Sequence, residues 1–188
     1  MPAAPAARLI PVLLTAAFLA ACGDPVNLNP PSTANVVDTV QLHALRGTAV
    51  ALPSGYDVPT KQTIRTDRPN FDFAFDISDA GVALVYPAGA LGLGEDPGLL
   101  VIPDTFDNVG TAPIEGYVTT SAVDVAVDVV FVVRSRPAGN GCTFTGALPR
   151  YGKFRVLSLD PVARTITLEN LVNQNCGYRD LLPGLPDA

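Results

Sequence analysis

The most constraining feature of this chain is a period of two. Between Asn70 and Ile77 the residues Phe71, Phe73, Phe75 and Ile77 fall on one face of an extended backbone, and Asp72, Ala74 and Asp76 fall on the other. Strict alternation of this kind, with aromatics on one side, predicts a strand half buried against a core, with the aspartates solvated. Ser78-Asp79-Ala80-Gly81 then supplies turn chemistry, and Gly81 to Pro87 reads as a second strand closing a hairpin. The longest signal runs from Tyr117 to Arg136 without Gly or Pro. Val123, Val125, Val127, Val129, Phe131 and Val133 share one face, and the other becomes apolar at Val130 and Val132, which predicts cover on both sides there. One straight strand of that length would span about 66 Å, so a bend is expected near Thr120 to Ala122. Further strands are predicted at Val36 to Ala44, Gly47 to Leu52, Gln62 to Thr66, Leu99 to Ile102, Gly152 to Leu159 and Arg164 to Leu168. No long, capped run at 3.6-residue spacing competes with them. The expectation is an all-β protein: one β-sandwich, Ig-like or jelly-roll-like, or a related barrel, of about 7 to 9 strands.

The N-terminus follows another logic. Arg8 is its sole charge, and an apolar run from Leu9 to Phe18 ends in the small residues Ala20 and Ala21 before Cys22. A charged start, a short apolar run and a small-residue junction make a secretory signal, too short to span the bilayer as a stable helix. Leu19-Ala20-Ala21-Cys22 resembles the lipobox of bacterial lipoproteins. The resemblance covers only the signal and its junction. It implies cleavage before Cys22, lipid on the Cys22 sulfur, and residence in the cell envelope, exported and held on a membrane. Gly23 following the cysteine favours an outer-membrane destination where the organism has one. The expected organisation is a signal peptide over 1–21, a lipid-anchored tether rich in Pro and Asn over 22–35, reaching roughly 40 Å if extended, and a β-sandwich over 36–188 with a short C-terminal tail.

Charge bears on partners. The chain carries 12 basic and 18 acidic side chains, and cleavage before Cys22 would remove Arg8 and no acid, leaving the mature form more negative than −6. Nucleic acid is a poor partner for such a chain, because phosphate neutralisation needs clustered cations, and Lys61 and Lys153 are the only lysines. Attachment to anionic lipid has to come from acyl chains on Cys22. With Cys22 assigned to lipid, Cys142 and Cys176 remain as an even pair in an exported domain, read as a disulfide.

The search for chemistry is mostly negative. His43, the sole histidine, sits on the Val37, Thr39, Gln41 face of a predicted strand, opposite the apolar face, and is read as solvent-facing. No Gly-x-Ser-x-Gly, His-Glu-x-x-His, P-loop or Ser-x-x-Lys pattern occurs. Gly89 to Gly94 is glycine-rich but lacks the dinucleotide order and reads as a flexible loop. Asp76 and Asp79 could contribute to a Ca²⁺ site, though no Asp-x-Asp-x-Asp loop is present. Glu95-Asp96, Asp104 and Asp107 lie in a long Gly/Pro-rich connection. No cofactor, metal site or catalytic set is assigned. The expected function is a non-enzymatic envelope protein presenting a sandwich surface to an envelope protein or glycan. The alternatives are a carboxylate-dependent hydrolase of cell-wall or carbohydrate substrates, or an ion or small-ligand binding module.

Overall fold

A computed structural model describes residues 28–68, 70–138 and 146–187. The expected signal peptide, Cys22 and Cys142 lie outside the described residues. Among the described residues ten strands form two antiparallel sheets: β1 Val37–His43, β2 Gly55–Asp57, β3 Gln62–Ile64, β4 Phe73–Ile77, β5 Ala83–Pro87, β6 Gly98–Ile102, β7 Val123–Asp124, β8 Val130–Arg134, β9 Tyr151–Asp160 and β10 Thr165–Asn173. One sheet has the order β1-β10-β9-β8-β6 and the other β3-β2-β4-β5-β7. The protein is therefore an all-β sandwich, with slightly more strands than expected.

The inner faces of the two sheets meet in one apolar layer. Tyr56, Phe73, Phe131 and Phe154 form its centre. The Phe73 and Phe154 rings lie 5.1 Å apart edge to face, and Phe131 and Phe154 stack at 5.4 Å. Leu42, Val85, Leu99, Val133, Val156, Ile166, Leu168 and Val172 close around them. Such ring pairs add stabilisation beyond the area they bury.

The reading of Val130 and Val132 as doubly covered holds. Both belong to a second buried cluster with Phe106, Val109, Ala112, Tyr151, Leu171 and Leu181, on the outer side of the first sheet. Here the long connection after β6 and the C-terminal segment fold across β8, β9 and β10. Lys153 is sealed beneath this cover at 1% exposure. Its Nζ donates to the carbonyls of Phe106 at 2.7 Å and Val109 at 3.1 Å and lies 4.4 Å from the centre of the Phe106 ring. Burial lowers the pKa of its amine.

Several local expectations are corrected. Gly47 to Leu52 is a turn region, where the Leu52 N–H donates to the Ala49 carbonyl, while the unpredicted β2 pairs with both β3 and β4. The stretch from Tyr117 to Arg136 is not one bent strand. It holds β7 in one sheet and β8 in the other, and the chain crosses between them at Val125 to Val129, later than the bend expected at Thr120 to Ala122. Asp128 turns the corner at φ 68°, and the crossing is bonded to β9 through Asp128 N–H to the Val156 carbonyl and Val156 N–H to the Val129 carbonyl. Gly89 to Gly94 opens with a 3-10 turn, Ala88–Leu91, and a side chain at Gly89 would place its Cβ 2.3 Å from the Thr119 carbonyl oxygen. That contact explains the glycine there.

The largest correction concerns β4. Asp72 and Asp76 are not solvated: both are buried, as are Ala74 and the flanking aromatics. β4 is the central strand of its sheet, and its outer face is covered by Leu45 and Ala88. Phe71 does not join Phe73 and Phe75. It packs outside with Ala74 and Ala88, because the ladder of β4 starts only at Phe73 and the alternation breaks at Asp72. Phe73, Phe75 and Ile77 do face the inner layer together.

The stretch expected as a free tether is fastened over its second half. Asn175 Oδ1 accepts from the Ser32 and Thr33 N–H groups at 2.9 and 3.1 Å, and Tyr178 Oη donates to the Asn29 carbonyl at 3.1 Å. Asn35 forms a bridge with Gly184, and its buried side chain donates to the carbonyls of Asp180 and Leu182.

Candidate functional site

Two buried aspartates on or beside β4 bring the sheets together. Asp72 Oδ1 accepts from Arg136 N at 2.9 Å and Nη1 at 3.1 Å, and its Oδ2 from Val58 N at 2.8 Å. Asp57, on β2, accepts from Arg136 Nη2 at 2.8 Å and from the Thr60 hydroxyl at 2.7 Å. Arg136 follows β8, so one guanidinium joins the two sheets. At the other end of β4, Asp76 Oδ2 receives Arg46 Nε at 2.6 Å, and its Oδ1 lies 3.5 Å from Arg164 Nη2. Arg46 follows β1 and Arg164 precedes β10, so this clamp also crosses between sheets. Each carboxylate oxygen named here has a donor, as burial of charge demands.

Burial holds the Asp72 carboxyl up at about 6, against the pull of Arg136 and the backbone donors that favour its charge. A raised carboxyl beside a second acid is one signature of an acid–base pair. Here both acids face a shared arginine inside the protein, and Asp72 has no exposed surface. Their geometry is that of a structural clamp.

The position weighed for Ca²⁺, at Asp76 and Asp79, is met by cations of the chain itself. Arg46 and Arg164 converge on Asp76, while Asp79 is almost fully exposed and meets only Arg46, at 3.7 Å. Among the described residues no group of His, Cys, Asp or Glu could hold a metal ion. Asp104 accepts from Asn108 Nδ2 and the Thr105 N–H at the 3-10 turn Phe106–Asn108, and these bonds hold its carboxyl below the ordinary value. His43 is half-buried near the end of β1, with its backbone N–H on the Pro53 carbonyl. Glu95 and Asp96 are exposed, and the Asp96 carbonyl accepts from the Arg134 guanidinium.

Among the described residues a hollow able to take a ligand lies elsewhere, in residues without a motif. A cleft of about 610 Å³ opens between the N-terminal arm and the C-terminal segment. Leu28, Leu148 and Leu182 give it apolar walls. Tyr151, Tyr178, Arg179, Asp180 and Asp187 supply polar groups, and Gly110 and Thr111 close one side. Tyr151 begins β9 and also borders a smaller hollow with Asp96, Arg134 and Ser135, so its ring stands between the two. Burial raises the Tyr151 phenol above its ordinary range, against the nearby Arg134 and Arg179. Arg179 is steadied by a hydrogen bond from Nη1 to the Ala112 carbonyl at 2.9 Å. Tyr178 is tied to the arm, as described above. The partly exposed Tyr178 ring beside a cation and carboxylates forms a mixed surface, able to stack against a ring while bonding its polar edge. The signal available in the sequence was the run Tyr178-Arg179-Asp180 directly after Cys176-Gly177.

Cys176 borders this region two residues before Tyr178, half-buried, with its Sγ 3.9 Å from Arg150 Nη2. No protein-family model matches the chain, and no curated protein matches it.

Proposed function

We propose that this is a non-enzymatic lipoprotein of the bacterial cell envelope, anchored through lipid on Cys22, whose sandwich holds an envelope glycan in the cleft beside Tyr151 and Tyr178. The observation that carries this reading is the position of the cleft. It is built from the arm that leads back toward Cys22 and from the C-terminal segment that fastens that arm. Its composition supports a sugar ligand: the half-buried Tyr178 ring for the apolar face of a pyranose, and Arg179, Asp180 and Thr111 for hydroxyls, with the buried Tyr151 forming the floor. The acids that burial brings together, Asp57 and Asp72, are engaged with Arg136 and lie apart from this cleft.

Two measurements test the reading. Palmitate labelling and fractionation of cells expressing Cys22→Ser should show loss of label and release from the membrane. Retention of the purified protein on isolated cell-wall glycan should fall at least about tenfold in Tyr178→Ala or Arg179→Ala, the scale of one lost anchoring contact. Unchanged retention in both variants would remove the cleft from the binding function.

A further inference from the structure

The arm sets a leash length. The residue before the described arm is Asn27, and the first described residue, Leu28, stands six positions after Cys22. Six α-carbon steps cannot exceed about 22 Å however the chain runs. From Asn29 onward the arm is bonded to the domain through Tyr178, Asn175 and Gly184. The reach is therefore about half of what a free tether over 22–35 would give.

The same end carries exposed apolar side chains. The antiparallel bridge between Asn35 and Gly184 turns the Asn35 side chain inward, which sets Val36 and Leu185 on the opposite, outward side. Val36 is 58% exposed, Leu185 59% and Leu182 49%. The far end of the sandwich is the β9–β10 turn around Val162. It lies about 30 Å away along β9, farther than the leash reaches.

We propose that the end of the sandwich bearing Val36, Leu182 and Leu185 rests on the bilayer, with these side chains in the interfacial region and the cleft opening at the membrane surface. The occupant of this apolar face is the lipid surface. The short distance from Cys22 to the arm selects it, and apolar contact suits an acidic domain that anionic headgroups repel. The proposal rests on lipidation at Cys22.

The chain contains no tryptophan, so a single one can be placed as a reporter. The full-length lipidated protein is prepared as Leu185→Trp and as Val162→Trp. Both positions are exposed, so both variants should fold. Each is reconstituted in phosphatidylethanolamine–phosphatidylglycerol vesicles with brominated acyl chains, and vesicle flotation is scored separately. The expected result is co-flotation of both variants, loss of about half the emission of Leu185→Trp, and no loss for Val162→Trp, as interfacial insertion of one end requires. Co-flotation with Leu185→Trp unquenched, or with both quenched equally, overturns the orientation while leaving the anchor in place. Failure to float overturns the anchor, and the orientation falls with it.

Discussion

Asp72 receives Arg136 twice, once through the backbone N–H and once through the guanidinium, so a residue just ahead of β4 is fixed to the residue that continues β8 in the opposite sheet. The same guanidinium reaches Asp57. Removing the Asp72 carboxylate leaves a partly buried cation with one partner and strands the Val58 and Arg136 N–H groups. Asp72→Ala should therefore cost about 3 to 5 kcal/mol, as breaking a buried pair does, read as a lower midpoint in urea with an unchanged slope. A change within about 0.5 kcal/mol, the ordinary value for a solvated site, would show that the clamp contributes nothing.

The protonation of Asp72 gives stability a pH dependence. Its folded-state pKa is raised to about 6 from an ordinary 3.8, so the folded chain binds the proton more tightly than the unfolded one. Stability from this group is fully present below the ordinary pKa, declines as pH rises, and is lost above about 6. Asp72→Asn keeps the shape and removes the titration. The difference in unfolding free energy between wild type and Asp72→Asn should fall in the wild type's disfavour from pH 4 to pH 6 and be flat above, measured in urea at constant ionic strength. A difference that rises across this window would mean that Arg136 dominates over burial.

Phe73 touches Tyr56, Phe131 and Phe154. Truncating it opens a cavity among rings that cannot collapse together, so Phe73→Ala should cost about 3 to 5 kcal/mol. Phe73→Leu should recover most of that, since it retains volume. Thermal and urea unfolding of the two variants check the order; equal losses would place the ring outside the core.

Cys142 and Cys176 are proposed to form a bridge. The loop it would close holds about 35 residues, and the chain-entropy estimate for such a loop is roughly 3 to 4 kcal/mol before strain. The reading is supported by the expected export and the even pair left once Cys22 is assigned to lipid. Reduction of the denatured mature protein should add one hydrogen mass per sulfur and expose two reactive thiols, and should lower the urea midpoint of the folded form. Two thiols titrating without reductant would overturn the assignment.

The period of two identified the fold class because burial on one face of a strand is written locally, residue by residue. Phe73, Phe75 and Ile77, Phe131 and Val133, and Val130 and Val132 all stand where the pattern puts them. The aspartates of β4 were illegible for the opposite reason. Their neutralising partners, Arg46, Arg136 and Arg164, lie far off in sequence, and no local pattern distinguishes a paired buried carboxylate from a solvated one. The crossing at Asp128 was hidden similarly. Valines continue through it, because Val125 and Val129 pack into the same inner layer from either side of the corner. The cleft is not legible in the sequence because its walls come from four separated segments, the longest contiguous run being Gly177 to Asp180.

β1 lies at one border of its sheet, and the backbone N–H of Thr39 donates to the carboxylate of Asp38 at 2.7 Å. That donor is already satisfied by its neighbour, and the carboxylate adds a charge at the rim that an incoming strand would have to desolvate. Copies brought together at high concentration would meet at borders of this kind. The Asp38 cap then leaves one donor fewer at this border for a second copy to take up, a small measure of self-avoidance.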